Sequence, residues 1–350
     1  MKKKVLLAFC DPGGGLAVVS LIDELIKNND IELKVYAGKL SESFLKDLNY
    51  EKIDSDIEKN TAEEIFNTSM PDILVTSTGG GNAEQLLRNV ASKKNTGSIV
   101  ILDFWKDYKR RWLYADYEIK DMKDIICVMD TETKKEMTEE GFAENKITVT
   151  GHPYLDRIFN YNRNIKNTET ENADANIRKL LFLSQPLDII GLQDYTVHPL
   201  TVFLEAVKST SDHLNQKHSV TIKPHPSEIN LEEIIRIKDE YESDSLEIKV
   251  ASDKGIIELI ENCDTVIGYN TIAMFESRSL NKRTISLNIA PVRKSLISAM
   301  NKAGIEIIKL NAEEIANSLL KDIRPIESKG IFKNGIKNTV DLIYKELNIN

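Results

Sequence analysis

The chain has 350 residues, which is more than one ordinary α/β core needs and suits two domains of ~100–200 residues each. Hydrophobic residues make up 41% and charged residues 29% of the chain, without a long Pro/Gly/Ser-rich or repetitive tract, which excludes a disordered or fibrous protein. Asp and Glu number 55 against 46 Lys and Arg, and the net charge of −9 argues against a nucleic-acid partner.

The amino-terminal segment does not have the pattern of a targeting signal. Three lysines at positions 2–4 precede an apolar run at 5–10, which is too short for a signal peptide or a membrane span and predicts a buried strand. The cysteines are odd in number and lie in separate apolar runs, so they predict neither disulfides nor a zinc site. We expect a cytoplasmic protein, with peripheral contact to the inner face of the membrane as an open alternative.

Short apolar runs alternate with amphipathic segments, as expected for parallel strands covered on both faces by helices. In the first half, strands are predicted at 5–10, 31–36, 73–76, 98–102, 125–129 and 147–150, with helices at 16–27, 83–90 and 131–140. In the second half, strands are predicted at 180–183, 220–223, 246–250, 265–267, 284–287 and 305–308. The predicted fold class is α/β, with two Rossmann-like doubly wound domains.

A polar stretch at 160–176 predicts an exposed linker between these domains. We therefore expect an amino-terminal domain at 1–155, a linker at 156–177, a second domain at 178–330, and a carboxyl-terminal helical segment at 331–350.

Doubly wound sheets bind ligands beyond the carboxyl ends of their strands, so residues just after strands are the candidates for a site. Two glycine loops, at 13–15 and 79–81, follow predicted strands of the first half, and the candidates for acceptor contact are Gly13, Gly14, Gly15, Gly79 and Gly80. Glycine lets backbone amides approach a ligand, although a tight turn with close helix packing explains such loops equally well. Neither loop is a G-x-G-x-x-G motif. The presence of two such loops in one domain predicts an open surface for a substrate, which we expect to be the acceptor.

Carboxylates occupy the same predicted edge. Asp103 ends the strand at 98–102 and Asp11 follows the first strand, so either can serve as the base that takes a proton from an acceptor hydroxyl. A helix cap or turn former is the alternative for each.

A basic and aromatic stretch at 105–112 contains Lys109, Arg110 and Arg111. One interpretation is a binding surface for acceptor phosphates or for a membrane. The alternative is a solvated helix whose aromatic residues pack inward. His152 follows the last strand of the first half, and we interpret it either as a histidine on the acceptor side or as a hinge residue.

The strongest local motif is Lys223-Pro224-His225-Pro226, at the end of a buried strand. Two prolines fix the backbone and remove amide donors, so the ammonium and the imidazole become the ligands, as phosphate binding requires. A surface turn is the alternative.

A second phosphate-binding segment is predicted where the strand at 265–267 runs through Gly268 into Asn270 and Thr271. One of these last two would cap the following helix, on which Glu276 is placed to accept hydrogen bonds from ribose hydroxyls. Asp54 and Asp56 form a D-x-D pair, which we interpret as a cap and not a metal site. No metal and no cofactor is predicted.

The motifs together resemble those of bacterial GT-B glycosyltransferases of surface-polysaccharide assembly, and the likeness spans almost the whole chain. The segments that carry the resemblance are Asp11-Pro12-Gly13-Gly14, 102–105 with Tyr108, Thr150-Gly151-His152-Pro153, Leu183-Ser184-Gln185-Pro186-Leu187, 223–226 and 268–271. The Lys-Pro-His-Pro segment is similar to that of sialyltransferases and capsular transferases, and the fold and the Gly-His-Pro segment are also similar to nucleotide-sugar 2-epimerases.

This resemblance implies two domains that face a central cleft, with the nucleotide-sugar donor on the second and Ser184 and Gln185 among the donor-binding residues. It implies that the carboxyl-terminal helix packs back on the first domain. A CMP-activated acidic sugar is favoured as the donor, with CDP or UDP sugars as alternatives. Asp194 becomes a third candidate base, but it stands alone where such transferases carry an acidic pair.

The sequence therefore predicts a metal-independent glycosyltransferase that acts on a glycan, lipid-linked or protein acceptor. In this hypothesis Lys223 and His225 neutralise the leaving phosphate. The alternatives are a nucleotide-sugar 2-epimerase or hydrolase, and a non-catalytic nucleotide-sugar binding subunit.

Overall fold

The computed structural model describes residues 2–38, 45, 48–79, 81–165, 177–186, 197–228, 231–289, 292–321 and 333–349. The chain divides into two compact units, which we call unit 1 (Met1–Asn160 with Phe332–Asn350) and unit 2 (Tyr161–Ile331). Each unit contains one parallel sheet with helices around it, so the predicted α/β class with two Rossmann-like units is confirmed.

In the described part of unit 1, seven parallel strands form the sheet. They are β1 (Lys3–Phe9), β2 (Ile31–Ala37), β3 (Glu51–Lys52), β4 (Ile73–Thr76), β5 (Gly97–Ile101), β6 (Ile125–Val128) and β7 (Ile147–Val149). Their order is β3-β2-β1-β4-β5-β6-β7, so the chain starts in the middle, winds to one edge and returns to build the other side. The switch between β1 and β4 is the place where doubly wound sheets open to ligands.

The helices of unit 1 are α1 (Pro12–Val19), α2 (Ile22–Leu25), α3 (Lys59–Ser69), α4 (Ala83–Lys94), α5 (Thr131–Glu139) and the start of α6 (Pro153–Ile165). Alternate residues of β1 enter two different hydrophobic clusters: Leu7 and Phe9 enter one, Leu6 and Ala8 the other. This two-sided burial explains why the strand is an unbroken apolar run in the sequence.

Unit 2 repeats the design with six described parallel strands in the order β10-β9-β8-β11-β12-β13. They are β8 (Ile177–Leu183), β9 (Lys217–Lys223), β10 (Leu246–Val250), β11 (Thr265–Gly268), β12 (Arg283–Asn288) and β13 (Glu306–Lys309). The helices are α7 (Pro199–Leu214), α8 (Leu231–Tyr241), α9 (Ile256–Glu261), α10 (Ile272–Ser279), α11 (Lys294–Ala303) and α12 (Ala312–Leu320). The switch here lies between β8 and β11.

The last helix, α13 (Gly335–Leu347), belongs to unit 1. Val340, Ile343 and Leu347 are buried in the same hydrophobic cluster as β1 and α1. None of the helices in the described part of the chain combines the length and apolar character needed to cross a membrane.

Two predicted elements differ from the structure. The helix expected at 16–27 is two helices, α1 and α2, separated by a turn at Ser20 and Leu21, where the Ser20 hydroxyl donates to the Leu16 carbonyl. The linker expected at 156–177 begins inside α6, and residues 156–165 are helical because Ile158 continues the buried face of Tyr154 and Leu155.

Candidate functional site

In unit 1, Asp11 lies directly after β1 and caps α1. Its Oδ1 accepts the amides of Gly13 at 2.7 Å and Gly14 at 3.1 Å, and Pro12 occupies the first helical position. Burial raises the pKa of the Asp11 carboxyl, and the nearby charge of Asp103 raises it further. Asp11 therefore caps α1, and its carboxyl also lies after the carboxyl end of β1, where doubly wound sheets commonly bind ligands.

Asp103 follows β5 and is held by two donors. Its Oδ1 accepts the Thr78 hydroxyl at 2.7 Å and a hydrogen bond from the Arg111 guanidinium. Arg111 also donates to the Thr78 carbonyl at 2.9 Å. The arginine of the basic stretch is therefore a partner of a candidate base, whereas Lys109 and Arg110 are exposed on the short 3-10 helix Lys109–Trp112.

The glycines of the two loops have different surroundings. A Cβ on Gly13 would lie 3.3 Å from Asp103 Oδ2 and 3.4 Å from Asp11 Oδ1, so this glycine keeps the two carboxylates accessible. A Cβ on Gly79 would lie 2.5 Å from Glu84 Oε1.

Gly14 and Gly15 correct the prediction that they face an acceptor. Both are buried in α1, and a Cβ on Gly14 would lie 2.5 Å from the Ser77 side chain. Gly14 allows close packing of α1 against Ser77, which the sequence left open as the alternative. Gly80 lies outside the described residues.

Glu84 is a functional candidate that the sequence analysis missed. It lies in the first turn of α4 and is only 2% exposed. Burial, followed by the charge of Asp11, raises the pKa of its carboxyl to about 7. The available signal was an acidic residue in the first turn of the helix that follows a glycine loop.

His152 is also placed differently from the prediction. It is 1% exposed, and its Nε2 lies 3.0 Å from the Asp103 carbonyl oxygen, so it supports the backbone of Asp103 and does not present a side chain to an acceptor. Burial lowers its pKa. Gly335 of α13 packs against its backbone, where a Cβ would lie 2.7 Å from the carbonyl carbon.

In unit 2, the loop after β9 presents Lys223 and His225. The Lys223 ammonium donates to the Ser252 carbonyl at 2.8 Å, and burial lowers its pKa. The Nδ1 atom of His225 accepts the Ser227 amide at 3.1 Å, so the neutral imidazole carries its proton on Nε2 and is a donor there. Pro226 is exposed.

Glu228 is a second residue that the sequence analysis missed, although it follows the Lys-Pro-His-Pro motif by two positions. Its Oε1 accepts the Ser184 hydroxyl at 2.7 Å and its Oε2 accepts the His225 amide at 3.1 Å. Burial raises the pKa of its carboxyl. Ser184 is therefore a support of the loop, next to a half-buried Gln185.

The segment after β11 leads into α10. Thr271 is at the N-cap position, but its side chain makes no capping hydrogen bond, so the predicted side-chain cap is wrong for this residue. The other candidate, Asn270, accepts the Ser286 hydroxyl at 3.4 Å. The first amides of α10 thus point past the helix end without a side-chain cap. Glu276, in the second turn, is 2% exposed.

Gly268 corrects a prediction in the same segment. A Cβ on it would lie 2.8 Å from the Leu183 Cβ atom, so this glycine allows β11 to pack beside β8. Close strand packing, and not contact with a ligand, explains its presence.

β8 lies between β9 and β11, so the carboxyl ends of three adjacent strands bring these side chains to one edge. Asp194, the third candidate base, lies outside the described residues. Asp56 accepts the Asn82 amide at 3.1 Å and α3 begins without a side-chain cap, so the expected cap by the D-x-D pair is not seen. Within the described residues, no group of three or more His, Cys, Asp or Glu could hold a metal ion.

No protein-family model and no curated protein matches the sequence. Solved structures are similar over nearly the whole chain. MnaA of S. aureus, solved with UDP, has a TM-score of 0.72 at 13% identity and covers 99% of this chain and 98% of its own. The UDP-GlcNAc 2-epimerase from Neisseria meningitidis, bound to UDP-GlcNAc, has a TM-score of 0.72 at 14% identity, covering 98% and 100%.

A third structure is the glycotransferase of kitacinnamycin, with a TM-score of 0.61 at 10% identity over 99% of this chain and 100% of its own. At such low identities the likeness shows a shared fold. The GT-B-like fold with two Rossmann-like units, which the sequence resemblance implied, is therefore confirmed.

Proposed function

We propose that this chain is an enzyme that acts on a nucleotide-activated sugar, and that unit 2 binds the phosphates of the nucleotide. The observation that carries the proposal is the group of donors at the carboxyl edge of the unit 2 sheet: the Lys223 ammonium, the His225 Nε2–H and the uncapped start of α10. Phosphate oxygens accept hydrogen bonds from such donors, and a helix amino terminus adds positive potential.

A uridine diphosphate sugar is the first donor to test. The likeness to MnaA and to the meningococcal epimerase, solved with UDP and UDP-GlcNAc, supports this choice. β8 separates β9 from β11, so the two phosphate-binding segments follow strands about 10 Å apart. Two phosphates span that distance better than one, and we therefore rank UDP and CDP donors ahead of the CMP donor favoured by the sequence.

Glycosyl transfer is the reaction that we propose first. Asp11 is its base, because its raised pKa makes the carboxylate a stronger proton acceptor near neutral pH, whereas Asp103 is engaged by Arg111 and Thr78. Lys223 and His225 neutralise the charge that builds on the departing phosphate. The acceptor is a hydroxyl of a glycan, a lipid-linked sugar or a protein.

A second candidate is 2-epimerisation of the nucleotide sugar, which the likeness to the meningococcal enzyme favours. Epimerisation requires a proton to leave a sugar carbon and to return to its opposite face. Unit 1 carries two neighbouring carboxyl groups after the ends of its strands, Asp11 and Asp103, which suits both halves of that process.

One incubation separates the two reactions. A thermal-shift screen of UDP, CDP, CMP, GDP and dTDP first identifies the nucleotide, because a ligand of the folded state raises its apparent stability. The matching sugar nucleotide is then incubated in D₂O, with and without oligosaccharide, polyprenyl-linked and peptide acceptors, and the products are analysed by NMR.

Transfer predicts release of the nucleotide only with an acceptor and no deuterium at carbon 2 of the sugar. Deuterium at carbon 2 together with the inverted sugar, formed without an acceptor, would establish epimerisation instead. Binding with no turnover would indicate a nucleotide-sugar binding subunit. If no nucleotide stabilises the protein, the proposal fails as a whole.

A further inference from the structure

The buried carboxylate of Glu84 joins the two glycine loops of unit 1. Its Oε1 accepts the Cys10 amide at 2.9 Å, and its Oε2 accepts the Gly79 amide at 3.3 Å. The Ser77 hydroxyl contacts both oxygens, at 3.0 and 2.8 Å. One side chain therefore ties the end of β1, which leads into Asp11, to the loop that follows β4.

The two loops are in close contact around this carboxylate. A Cβ on Gly14 would lie 2.5 Å from the Ser77 side chain, and a Cβ on Gly79 would lie 3.4 Å from Asp11 Oδ2 and 2.5 Å from Glu84 Oε1. Asp11 and Glu84 thus both lie against Gly79. A change in the contacts of Glu84 therefore alters the position of the Asp11 carboxylate, because Glu84 joins the loop that carries Asp11 to the loop that carries Gly79.

We propose that Glu84 is a positioning residue that holds the Asp11 carboxylate in place for proton transfer and, through its own charge, sets the pH range in which Asp11 acts. This inference rests on the proposed function of Asp11 as the base. Glu84 is buried in unit 1 and acts through Asp11, without contact with the substrate.

The charges around Glu84 explain why its own proton matters. Asp11 faces it from the loop after β1, Ser77 and the Cys10 amide donate to it, and Arg88 lies one turn further along α4. Burial and Asp11 raise the pKa of Glu84 to about 7, while Ser77, Arg88 and the Cys10 amide oppose that rise. Its charge therefore changes within the neutral range, and with it the repulsion between Glu84 and Asp11.

The test compares Glu84→Gln with Asp156→Asn in the full chain. Both variants replace a buried carboxylate of unit 1 by an amide of similar shape, but Asp156 contacts Asn160 and the Ile336 amide, away from the glycine loops. Hydrogen exchange read by mass spectrometry reports on the loops without any substrate. The pH dependence of kcat, with the sugar nucleotide that the enzyme converts, reports on Asp11.

In Glu84→Gln, we expect the amide of Cys10 or that of Gly79 to exchange about 10-fold faster, because glutamine has a single acceptor oxygen and one of the two amides loses its buried partner. We expect the wild type to show a change of kcat near pH 7, where Glu84 gains its charge beside Asp11, and Glu84→Gln to lack it, because glutamine has no proton to release. Nucleotide affinity should not change. Asp156→Asn should exchange like the wild type and keep the change of kcat near pH 7. Ser77→Ala, a milder variant should Glu84→Gln fail to fold, should speed exchange less and move that change to higher pH, because it removes a donor that lowers the pKa of Glu84.

Unchanged exchange at Cys10 and Gly79 would overturn the proposal, as would equal effects in Asp156→Asn. Faster exchange in Glu84→Gln with the same kcat change near pH 7 as in the wild type would show that Glu84 has a structural role only. A wild-type enzyme that converts no sugar nucleotide would instead contradict the proposed function, and the exchange measurement would still decide whether Glu84 joins the loops.

Discussion

The carboxylate of Glu228 accepts a hydrogen bond from the backbone amide of His225 at 3.1 Å, so the Glu228 side chain fixes the loop that carries the His225 imidazole. The second oxygen of Glu228 accepts the Ser184 hydroxyl at 2.7 Å and thereby attaches this loop to the end of β8. The imidazole is oriented by the Ser227 amide on Nδ1. The loop at 223–228 is thus attached to two neighbouring strands of the unit 2 sheet.

Glu228→Gln should weaken UDP binding about 10-fold, because an amide cannot accept from both donors and the loop loses one anchor worth about 1–1.5 kcal/mol. Isothermal titration calorimetry measures the affinity. Glu232→Gln, an exposed carboxylate at the start of α8, is the matched control and should bind like the wild type. Equal affinity in both variants would show that the loop does not need this anchor.

Arg111→Ala should destabilise unit 1 by about 2–3 kcal/mol, because it leaves the mostly buried Asp103 carboxylate without its cation. Urea unfolding followed by circular dichroism measures the loss. The double variant Lys109→Ala/Arg110→Ala removes two exposed cations from the same turn and should stay within about 0.5 kcal/mol of the wild type. A reversed order of the two effects would contradict the assignment of Arg111 to the site.

The stability of the protein should depend on the proton at Glu84. The pKa of this carboxyl is about 7 in the fold and 4.5 in the unfolded chain, so the folded state holds the proton more tightly. The stabilisation is complete below pH 4.5 and is lost as the pH rises through 7, by an amount of about 3 kcal/mol.

Unfolding free energies of the wild type and Glu84→Gln, measured by urea titration from pH 4.5 to 8, test this expectation. The wild type should lose about 3 kcal/mol relative to the variant over this range, since glutamine has no proton to release. Parallel curves for the two proteins would show that Glu84 stays ionised in the fold.

His225→Ala should lower kcat about 10²–10³-fold, because the imidazole donates to a phosphate whose charge grows as it departs. Thr271→Ala should cost less, since the first amides of α10 remain. His213→Ala, on the exposed last turn of α7, is the control for loss of an imidazole. Near-normal turnover in His225→Ala would make this histidine a turn residue only.

The fold followed from the sequence because its signals are local and redundant. Each strand predicted in the two halves is present, with ends within a few residues of the predicted ones. A parallel strand that is buried on both faces consists mostly of apolar residues, and such a run is easily recognised in the sequence. The missed strand β3 has two exposed residues, Glu51 and Lys52, and so carries no apolar signal.

The site was harder to predict because its supports are distant in the sequence. Glu84 is 74 positions from Cys10 and Glu228 is 44 positions from Ser184, so no local pattern shows these contacts. Gly268 and Gly14 have the composition of ligand loops, but the space beside them is filled by Leu183 and Ser77. The strand ends predict where the candidate residues lie, while tertiary contacts decide which of their side chains are available to a ligand.

We propose above all that the carboxyl edge of the unit 2 sheet binds nucleotide phosphate. Hydrogen exchange with and without saturating UDP tests it most directly, because bound phosphate protects the amides that it contacts. We predict protection in peptides that cover 223–228 and 268–276, and its loss in His225→Ala at the same UDP concentration. Protection elsewhere, with these two segments unchanged, would contradict the account.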